Sequence, residues 1–352
     1  MSPAAAGFVM PAEWDPHAAT WMAWPHADDW PGKARAIPHV YAQIVRELVR
    51  GEPVDILVEN PAARGRARRV LVDVNVDLAR VRFHVVRTDR SWTRDTVPTF
   101  VRRPGEVALV DWGFNGWARY PEWHHDDAIG RRLARDLGLR RFVPCRRRGQ
   151  GEPVPVILEG GSIDVNGRGL LITTESCLLS RTQARNPGLG RRRLERIFAE
   201  QLGVLKVLWL GEGIAGDDTH GHVDDLARFV SARSVVAVRE DDPQDPNHAP
   251  LEANLRRLRE MTDPAGRPLR IITLPMPQPL FYRGERLPAS YANFYIANRS
   301  VLVPTFNDPH DRTALARLAG VFSTRRVVGI HATDLVVGRG AIHCCTQNQP
   351  DA

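Results

Sequence analysis

The sequence predicts an α/β protein made of five similar modules arranged around a pseudo-symmetry axis. The main observation is an arrangement that occurs five times: an apolar strand, an amphipathic helix, a second β-branched strand, and a polar loop that leads into another strand. A second observation is that no Ser/Gly-rich linker or shift in composition divides the chain of 352 residues. Five modules around one axis therefore favour a single domain over residues 1–352.

The first three modules follow this arrangement in chain order. The first consists of VDILVEN (54–60), a helix over 61–75, VRFHVV (81–86) and SWTRDTVPTFV (91–101). The second consists of VALVDWGF (107–114), a helix near 126–137, RRFVPC (140–145) and VILEGGSIDV (156–165). The third consists of GLLITTE (169–175), GRRRLERIFAEQLG (190–203), KVLWLG (206–211) and DDTHGHVDDLARFV (217–230).

The last two modules repeat the same order of elements. The fourth consists of SVVAVRE (234–240), LEANLRRLREM (251–261), LRIITLP (269–275) and SYANFYIANR (290–299). The fifth consists of SVLVPTF (300–306), DRTALARLAGVF (311–322), RRVVGIH (325–331) and AIHCCTQ (341–347). The residues themselves hardly repeat, so the modules are predicted to share a backbone arrangement rather than a sequence motif.

The basic charge of the chain does not indicate nucleic-acid binding. The formal net charge is +7, and arginine carries nearly all of the positive charge because the only lysines are Lys33 and Lys206. The basic clusters at 64–69, 145–149 and 191–196 are short and scattered, without helix-turn-helix or zinc-finger spacing. We therefore expect a solvated, arginine-rich surface and no nucleic-acid partner.

The sequence also gives no sign of a membrane segment or a disulfide framework. It contains no run of eighteen apolar residues, and its first residues lack the basic start and long apolar stretch of a signal peptide. Its four cysteines have unrelated spacings, which fits a reducing compartment. We expect a cytoplasmic protein with no membrane contact.

Residues with chemically useful side chains occur in the same loop of four modules. They are Asp95, Glu159, His222 with Asp224, and Cys344. If equivalent loops meet at the axis, a thiol, an imidazole and three carboxylates converge on one site. Three acids around one small pocket repel each other unless a cation lies among them, and a guanidinium suits them because carboxylates accept its paired donors. A thiolate beside that cation can attack its electrophilic central carbon.

Each of these residues also has a structural interpretation, which the sequence leaves open. Asp95 could form an ion pair with Arg94. His222 could be a satisfied core histidine, and Glu159 could accept hydrogen bonds from turn amides. A metal cluster is a further alternative, since DDTHGHVDD (217–225) contains enough ligands, but no second Cys/His group of zinc spacing accompanies it.

Several ordered motifs resemble the agmatine deiminase family, which is close to the bacterial peptidyl-arginine deiminases. They are RDTVP (94–98), EGGSID (159–164), TTESCLLSRTQARNP (173–187), DDTHGHVDDLARF (217–229) and GAIHCCTQ (340–347). The resemblance spans essentially the whole chain. It implies the five-module α/β-propeller (pentein fold) of guanidine-modifying enzymes, which agrees with the modules described above.

The resemblance also implies roles for individual residues. Cys344 matches the nucleophile of the family's IHC-x-TQ motif, and His222 resembles its acid/base. Glu159 resembles the acid that supports the histidine and the leaving amine. Neighbouring side chains of an extended segment point to opposite faces, so Cys345 is predicted to point away from the site.

The remaining positions that match the family are predicted to bind substrate. Asp95 and Asp224 resemble the two carboxylates that hold the guanidinium, and Trp92 is predicted to cover one face of the cation. The resemblance implies no metal and no organic cofactor, and it implies a small-molecule guanidine as the only substrate partner. A homodimer is the candidate assembly.

The implied reaction is hydrolysis of agmatine to N-carbamoylputrescine and ammonia through a covalent S-alkylthiouronium, a step in putrescine and polyamine biosynthesis. Two departures leave the substrate open: Val97 and Arg339 stand where the family often has glycine. The alternatives are a deiminase of free arginine, peptidyl arginine or another alkylguanidine, and, from a different class, a non-catalytic protein that binds guanidines or polyamines.

Overall fold

The structure is a computed structural model that describes residues 1–147 and 151–352. Of the basic cluster at 145–149, residues 148 and 149 lie outside the described residues. In the part of the chain that is described, no helix is long and apolar enough to cross a membrane.

Strands occur along the whole described chain. They are β1 (His17–Ala23), β2 (Val54–Val58), β3 (Val81–Val85), β4 (Thr99–Arg103), β5 (Glu106–Val110), β6 (Arg140–Phe142), β7 (Cys145–Arg147), β8 (Pro153–Pro155), β9 (Asp164–Val165), β10 (Leu170–Thr174), β11 (Lys206–Leu210), β12 (Ala227–Ser231), β13 (Ser234–Arg239), β14 (Arg270–Pro275), β15 (Phe281–Tyr282), β16 (Glu285–Arg286), β17 (Tyr295–Ile296), β18 (Ser300–Thr305), β19 (Arg326–His331) and β20 (Gln347–Pro350).

The α-helices lie mostly between parallel strands. They are α1 (Ile37–Leu48), α2 (Pro61–Asp73), α3 (Thr93–Thr96), α4 (His124–Asp127), α5 (Ile129–Leu137), α6 (Glu175–Leu179), α7 (Arg191–Leu202), α8 (His248–Glu260) and α9 (Asp311–Val321).

Four of the sheets share one construction, and a fifth has one additional parallel strand, β1, between the antiparallel strand β20 and the central strand β2. A central strand pairs in parallel with the strand that follows its crossover helix, and an antiparallel strand completes the sheet from the loop of the preceding module. The corresponding sheets are β4-β5-β6, β9-β10-β11, β12-β13-β14, β17-β18-β19 and β20-β1-β2-β3. In the last of these, β20 pairs with β1, so the end of the chain completes the sheet of the first module. This order reproduces the five predicted modules.

Local sequence explains where the crossover helices begin and end. Asn60 accepts a hydrogen bond from the backbone N–H of Ala63, with Pro61 in the first turn, so α2 begins there. Gly203 adopts a left-handed conformation with φ 72° and ends α7. The prediction missed α1, and the predicted helix near 126–137 is divided into α4 and α5.

The loops that follow the second strand of each module carry the predicted site residues. Asp95 lies in α3, Glu159 directly precedes a turn of 3₁₀ helix at Gly160–Ser162, and His222 caps another such turn at Val223–Asp225. Cys344 lies in the turn before β20. The modular order therefore brings residues about 250 positions apart to one place.

Candidate active site

The predicted residues surround one cavity of about 370 Å³. Trp92, Asp95, His222 and Cys344 line it directly. Asp224 lies behind the thiol, with its Oδ2 3.7 Å from Cys344 Sγ. Glu159 lies behind the imidazole, with its Oε2 3.5 Å from His222 Nε2. The fold thus gathers all six predicted site residues at one end of the modules.

Cys344 and Cys345 point into different surroundings, as predicted, but they lie in a turn rather than in the extended segment on which that prediction rested. The Sγ of Cys344 faces the cavity and accepts a hydrogen bond from Asn293 Nδ2 at 3.1 Å. The Sγ of Cys345 accepts a hydrogen bond from the hydroxyl of Tyr41 at 3.0 Å, within the core. Burial and the charges of Asp224 and nearby acids raise the pKa of the Cys344 thiol well above 9.0.

Asp95 accepts hydrogen bonds from two neutral donors and lies 3.8 Å from the imidazole of His222. It accepts hydrogen bonds from Trp117 Nε1 at 2.9 Å and from the backbone N–H of Gly161 at 2.8 Å. Among residues 1–147 and 151–352, no arginine or lysine pairs with Asp95 or with Asp225. Burial raises the pKa of both carboxyls and outweighs the charge of His222, which lowers both values.

The carboxylate of Glu159 contacts one permanent cation and the imidazole of His222. Its Oε1 accepts a hydrogen bond from Arg185 Nε at 3.1 Å. Burial raises the pKa of Glu159, but Arg185 and His222 outweigh burial and lower it to about 2. Burial lowers the pKa of His222, but the charge of Asp95 and contacts with Cys177 and Glu159 raise it well above 6.5. The imidazole is therefore protonated at neutral pH, next to an ionised carboxylate.

The surroundings of Gly161 explain why the third position of the motif EGG is a glycine. A Cβ atom there would lie 2.6 Å from His222 Nδ1 and 3.0 Å from Asp95 Oδ1. The backbone of this loop therefore approaches the imidazole as closely as only glycine allows. Gly340 is similar, since a Cβ there would lie 2.7 Å from the ring of Trp92.

A buried group of charged residues supports the wall of the cavity from behind; we call Glu13, Arg94, Arg228 and His343 the support network. His343 Nδ1 lies 2.7 Å from Asp224 Oδ2, and its Nε2 lies 2.8 Å from Glu13 Oε2. Glu13 also accepts hydrogen bonds from Arg94 at 3.0 Å and Arg228 at 2.8 Å. Burial opposes ionisation of Glu13, yet its contacts with Arg228, His343 and Arg94 outweigh burial and lower its pKa well below 4.5.

The support network also acts on the site, because His343 fixes the orientation of Asp224. Burial raises the pKa of Asp224, but the hydrogen bond and charge of His343 outweigh it and lower that pKa. Asp224 Oδ1 is buried and has no hydrogen-bond partner among the described residues. An ionised carboxylate with one unshared oxygen therefore lies beside the thiol.

Sequence analysis missed three residues that the structure places at the site: Asn293, His343 and Glu13. Asn293 comes from the loop of the fourth module, the one module to which no site residue was assigned. Its Oδ1 accepts the backbone N–H of His343 at 3.0 Å, while its Nδ2 contacts the thiol. The equivalence of the five loops is the signal that could have found Asn293.

The side chains of His220 and Asp217 do not turn towards a shared metal position in the segment 217–225. His220 has a left-handed backbone with φ 67°, and its Nε2 lies 3.2 Å from Ser180 Oγ. Asp217 instead accepts the backbone N–H groups of Gly221 and His222 at 2.7 and 3.2 Å. These contacts shape the turn that presents His222.

The cavity is lined by more acidic residues than basic ones. Its acidic lining residues, including those deeper inside, are Asp28, Asp29, Asp95, Asp218, Asp225 and Glu285, and its arginines are Arg90, Arg283 and Arg339. Arg339 has φ 70°, donates to the carbonyl of Gly216 at 3.1 Å and pairs with Glu285. Val97 does not line this cavity; it packs in a core cluster with Trp21 and Phe100.

Comparisons with known proteins agree with this geometry. The chain is 38% identical over 374 residues to an agmatine deiminase of Ectopseudomonas mendocina, an alignment that covers 99% of this chain and 97% of the relative. The structure superimposes on the agmatine deiminase of Enterococcus faecalis with a TM-score of 0.89 and 31% identity, covering 99% of this chain and 98% of the other.

A second solved structure is similar, a substrate-bound cysteine-to-serine variant of the agmatine deiminase of C. jejuni. Its TM-score is 0.86 at 26% identity, and the match covers 98% of this chain and 97% of the other. These likenesses confirm the predicted pentein fold and the predicted resemblance. A family model matches residues 9–350. The chain belongs to the Porphyromonas-type peptidyl-arginine deiminase family.

Proposed function

We propose that this protein hydrolyses agmatine to N-carbamoylputrescine and ammonia, and that its five modules act as one catalytic domain. The observation that carries the proposal is the set of carboxylates around a thiol. Asp224 lies 3.7 Å from Cys344 Sγ, and Asp95 and Asp225 have no arginine or lysine partner in the described chain. A protonated guanidine supplies the planar positive charge that these groups accept.

Substrate binding would also prepare the nucleophile. The carboxylates that raise the pKa of Cys344 are the ones that a guanidinium would neutralise. A bound cation therefore favours the thiolate, which is the nucleophilic form. Since the imidazole of His222 is protonated at neutral pH, the reactive state contains a thiolate, an imidazolium and the guanidinium.

The first half of the reaction breaks the C–N bond. The Cys344 thiolate adds to the guanidinium carbon and forms a C–S bond. His222 then donates its proton to an amino group of the tetrahedral adduct, ammonia leaves, and an S-alkylthiouronium cation remains on the enzyme. Glu159 stabilises the imidazolium before this transfer, because its Oε2 lies 3.5 Å from His222 Nε2.

The second half hydrolyses the intermediate. Neutral His222 takes a proton from water as the oxygen bonds to the thiouronium carbon. The C–S bond breaks and the thiolate is restored, and the extra proton of the ureido product passes to solvent, where the released ammonia takes it up. Asp95 and Asp224 hold the reacting carbon in place throughout, and Trp92 covers one face of the cation.

The charge at the mouth of the cavity favours agmatine over arginine. Agmatine carries an ammonium group at its far end, whereas arginine carries a carboxylate there as well. Two of the three arginines at the mouth already have acidic partners, since Arg90 lies 3.4 Å from Asp29 and Arg339 pairs with Glu285, whereas Arg283 stacks on Tyr282. At Arg90 and Arg339 a substrate carboxylate would have to compete with these pairs, while an ammonium would meet the acidic residues of the lining.

The test is release of ammonia and ureido product over a panel of agmatine, arginine, arginyl peptides and longer alkylguanidines. We expect the largest kcat/KM for agmatine. A larger value for arginine or an arginyl peptide would replace agmatine as the substrate but keep the reaction. Folded protein that binds agmatine in calorimetry and releases no ammonia from any of them would show a non-catalytic binding protein.

Assembly and location remain predictions from the sequence. A homodimer is expected, and light scattering coupled to size-exclusion chromatography measures it directly. A cytoplasmic location is expected as well, and cell fractionation with an antibody against the protein tests it.

A further inference from the structure

Behind the cavity wall lies a group of three buried side chains that differ in chemistry. Ligand atoms of Glu159, Cys177 and His222 all lie within 4.8 Å of one another. The exposed fractions of these residues are 0%, 0% and 1%. Cys177 enters from the short helix α6, which begins where Thr174 accepts the backbone N–H of Cys177 at 3.1 Å. The proposed reaction gives this thiol no role.

Two atoms of this group accept or donate no hydrogen bond among the described residues. They are Glu159 Oε2 and His222 Nε2, whose one polar contact is the ion pair that they form with each other at 3.5 Å. Arg185 takes only the other carboxylate oxygen, Oε1. Buried polar atoms without a partner are costly, so a ligand that engages both atoms would gain free energy.

We propose that Glu159, Cys177 and His222 form an inhibitory binding site for a divalent cation of the zinc class. One thiolate sulfur, one imidazole nitrogen and one carboxylate oxygen are a ligand set that zinc prefers. At bond lengths of about 2.0–2.3 Å, tetrahedral ligand atoms lie roughly 3.3–3.8 Å apart. Contraction of the group by at most about 1.5 Å is therefore enough. Since His222 lines the cavity, the cation enters from there, and water takes the fourth position.

The charge of the buried group stays balanced when the cation binds. The Cys177 S–H bond and one imidazolium N–H bond break, and bonds from sulfur, nitrogen and the free Glu159 oxygen to the metal form. Two protons leave for one divalent cation, and no atom is oxidised or reduced. Arg185, whose guanidinium lies beside Glu159, therefore experiences no added positive charge.

The expected consequence is reversible inhibition. With a metal on one ring nitrogen and a proton on the other, His222 has no lone pair to take a proton from water, and its remaining N–H is a much weaker acid than the imidazolium that protonates the leaving amine. This consequence rests on the proposed function, whereas the binding site itself does not. A chelator should restore activity, because no covalent bond to carbon forms.

The binding test uses Co²⁺ as the probe in a Cys344→Ala background, which removes the thiol that faces the cavity. We expect one equivalent of Co²⁺ to give a near-ultraviolet thiolate-to-metal charge-transfer band, and Zn²⁺ to displace it. The band should disappear in Cys344→Ala/Cys177→Ala. It should persist in the matched control Cys344→Ala/Cys345→Ala, since Cys345 contacts Tyr41 instead. Circular dichroism confirms that each variant is folded.

The outcomes separate this site from the proposed function. Absence of the band in folded Cys344→Ala, or its persistence without Cys177, overturns the metal site even if the wild-type protein hydrolyses agmatine. A band that depends on Cys177, in a protein that releases no ammonia, supports the metal site and overturns the proposed reaction. If Zn²⁺ binds in the Cys344→Ala variant but does not inhibit wild-type turnover, the inhibitory role is wrong.

Discussion

Buried carboxylates on the two sides of the cavity wall differ in their charge partners. In the support network, Glu13 contacts two arginines and His343, and its pKa lies well below 4.5. On the cavity side, Asp95 and Asp225 have no arginine or lysine partner in the described chain, and burial raises their pKa values. The network stabilises the fold with complete pairs, whereas the cavity holds incomplete ones that a cationic substrate can complete.

The largest effect is expected for the nucleophile. Cys344→Ala should lower kcat by at least about a thousandfold, because no other thiol faces the reacting carbon. Ammonia release with agmatine measures it. Cys345→Ala is the matched control one residue away, and it should keep most of the activity since its Sγ contacts Tyr41. Loss of activity in Cys345→Ala alone would mean that the two thiols have been assigned the wrong faces.

A change in the support network should cost stability. Glu13→Gln leaves Arg94, Arg228 and His343 without their shared carboxylate, and breaking a buried charge group of this kind costs about 3–5 kcal/mol. Urea unfolding measures the free energy. A loss below about 1 kcal/mol would show that the arginines find other partners and that the network is not what stabilises the wall.

The same variant predicts a pH dependence. The pKa of Glu13 is lowered on folding, so its ionisation stabilises the protein above the ordinary value of 4.5, and this contribution disappears as the pH falls through the lowered value. The difference in unfolding free energy between the wild-type protein and Glu13→Gln should therefore be largest near neutral pH and shrink in strong acid. Urea unfolding at several pH values tests it. A difference that grows with acidity contradicts the assignment.

On the cavity side, replacing a carboxylate by its amide should have little effect on the stability of the fold. Asn at position 95 has one acceptor oxygen, so it keeps the hydrogen bond of Trp117 or that of Gly161 but not both. Because Asp95→Asn also removes a buried charge, the two effects oppose each other, and we expect the unfolding free energy to change by only about 1 kcal/mol. The substitution should lower kcat/KM for agmatine roughly 30- to 1000-fold, because the guanidinium loses one charge partner. This factor corresponds to a loss of about 2–4 kcal/mol of transition-state stabilisation. A variant that loses stability and keeps kcat/KM would reverse the comparison.

The sequence predicted the modules well because each one carries its own local signals. The helix α2 begins at Pro61, where the sequence places it, and the strand β2 covers the apolar run 54–58. The sequence also indicated the six site residues around the cavity, because thiols, imidazoles and carboxylates in equivalent loops are easy to recognise.

The supporting residues could not be predicted in the same way. Glu13 comes from a segment before the first module, and only the closure of β20 against β1 brings it close to His343. Cys177 lies on α6, and its sequence context is typical of an ordinary core residue. Their positions depend on contacts between distant segments, which a local pattern does not encode.

The smallest effect is expected at the mouth, where Arg339 occupies a left-handed position that usually suits glycine. Arg339→Gly relieves backbone strain of about 1 kcal/mol but removes the bond to Gly216 and the pair with Glu285, so stability should change little. It also leaves the carboxylate of Glu285 free to form an ion pair with the ammonium of agmatine. We expect KM for agmatine to fall about two- to fivefold with kcat unchanged, as for uniform binding at an exposed site.

Arg283→Gly is the matched control for charge. Arg283 also lines the mouth at positive φ, but it stacks on Tyr282, and no carboxylate within 4.0 Å pairs with it in the described chain. If release of Glu285 is the cause, KM should fall in Arg339→Gly and change less in Arg283→Gly. An equal fall in both variants would mean that net charge at the mouth, rather than one released carboxylate, sets the affinity for the ammonium.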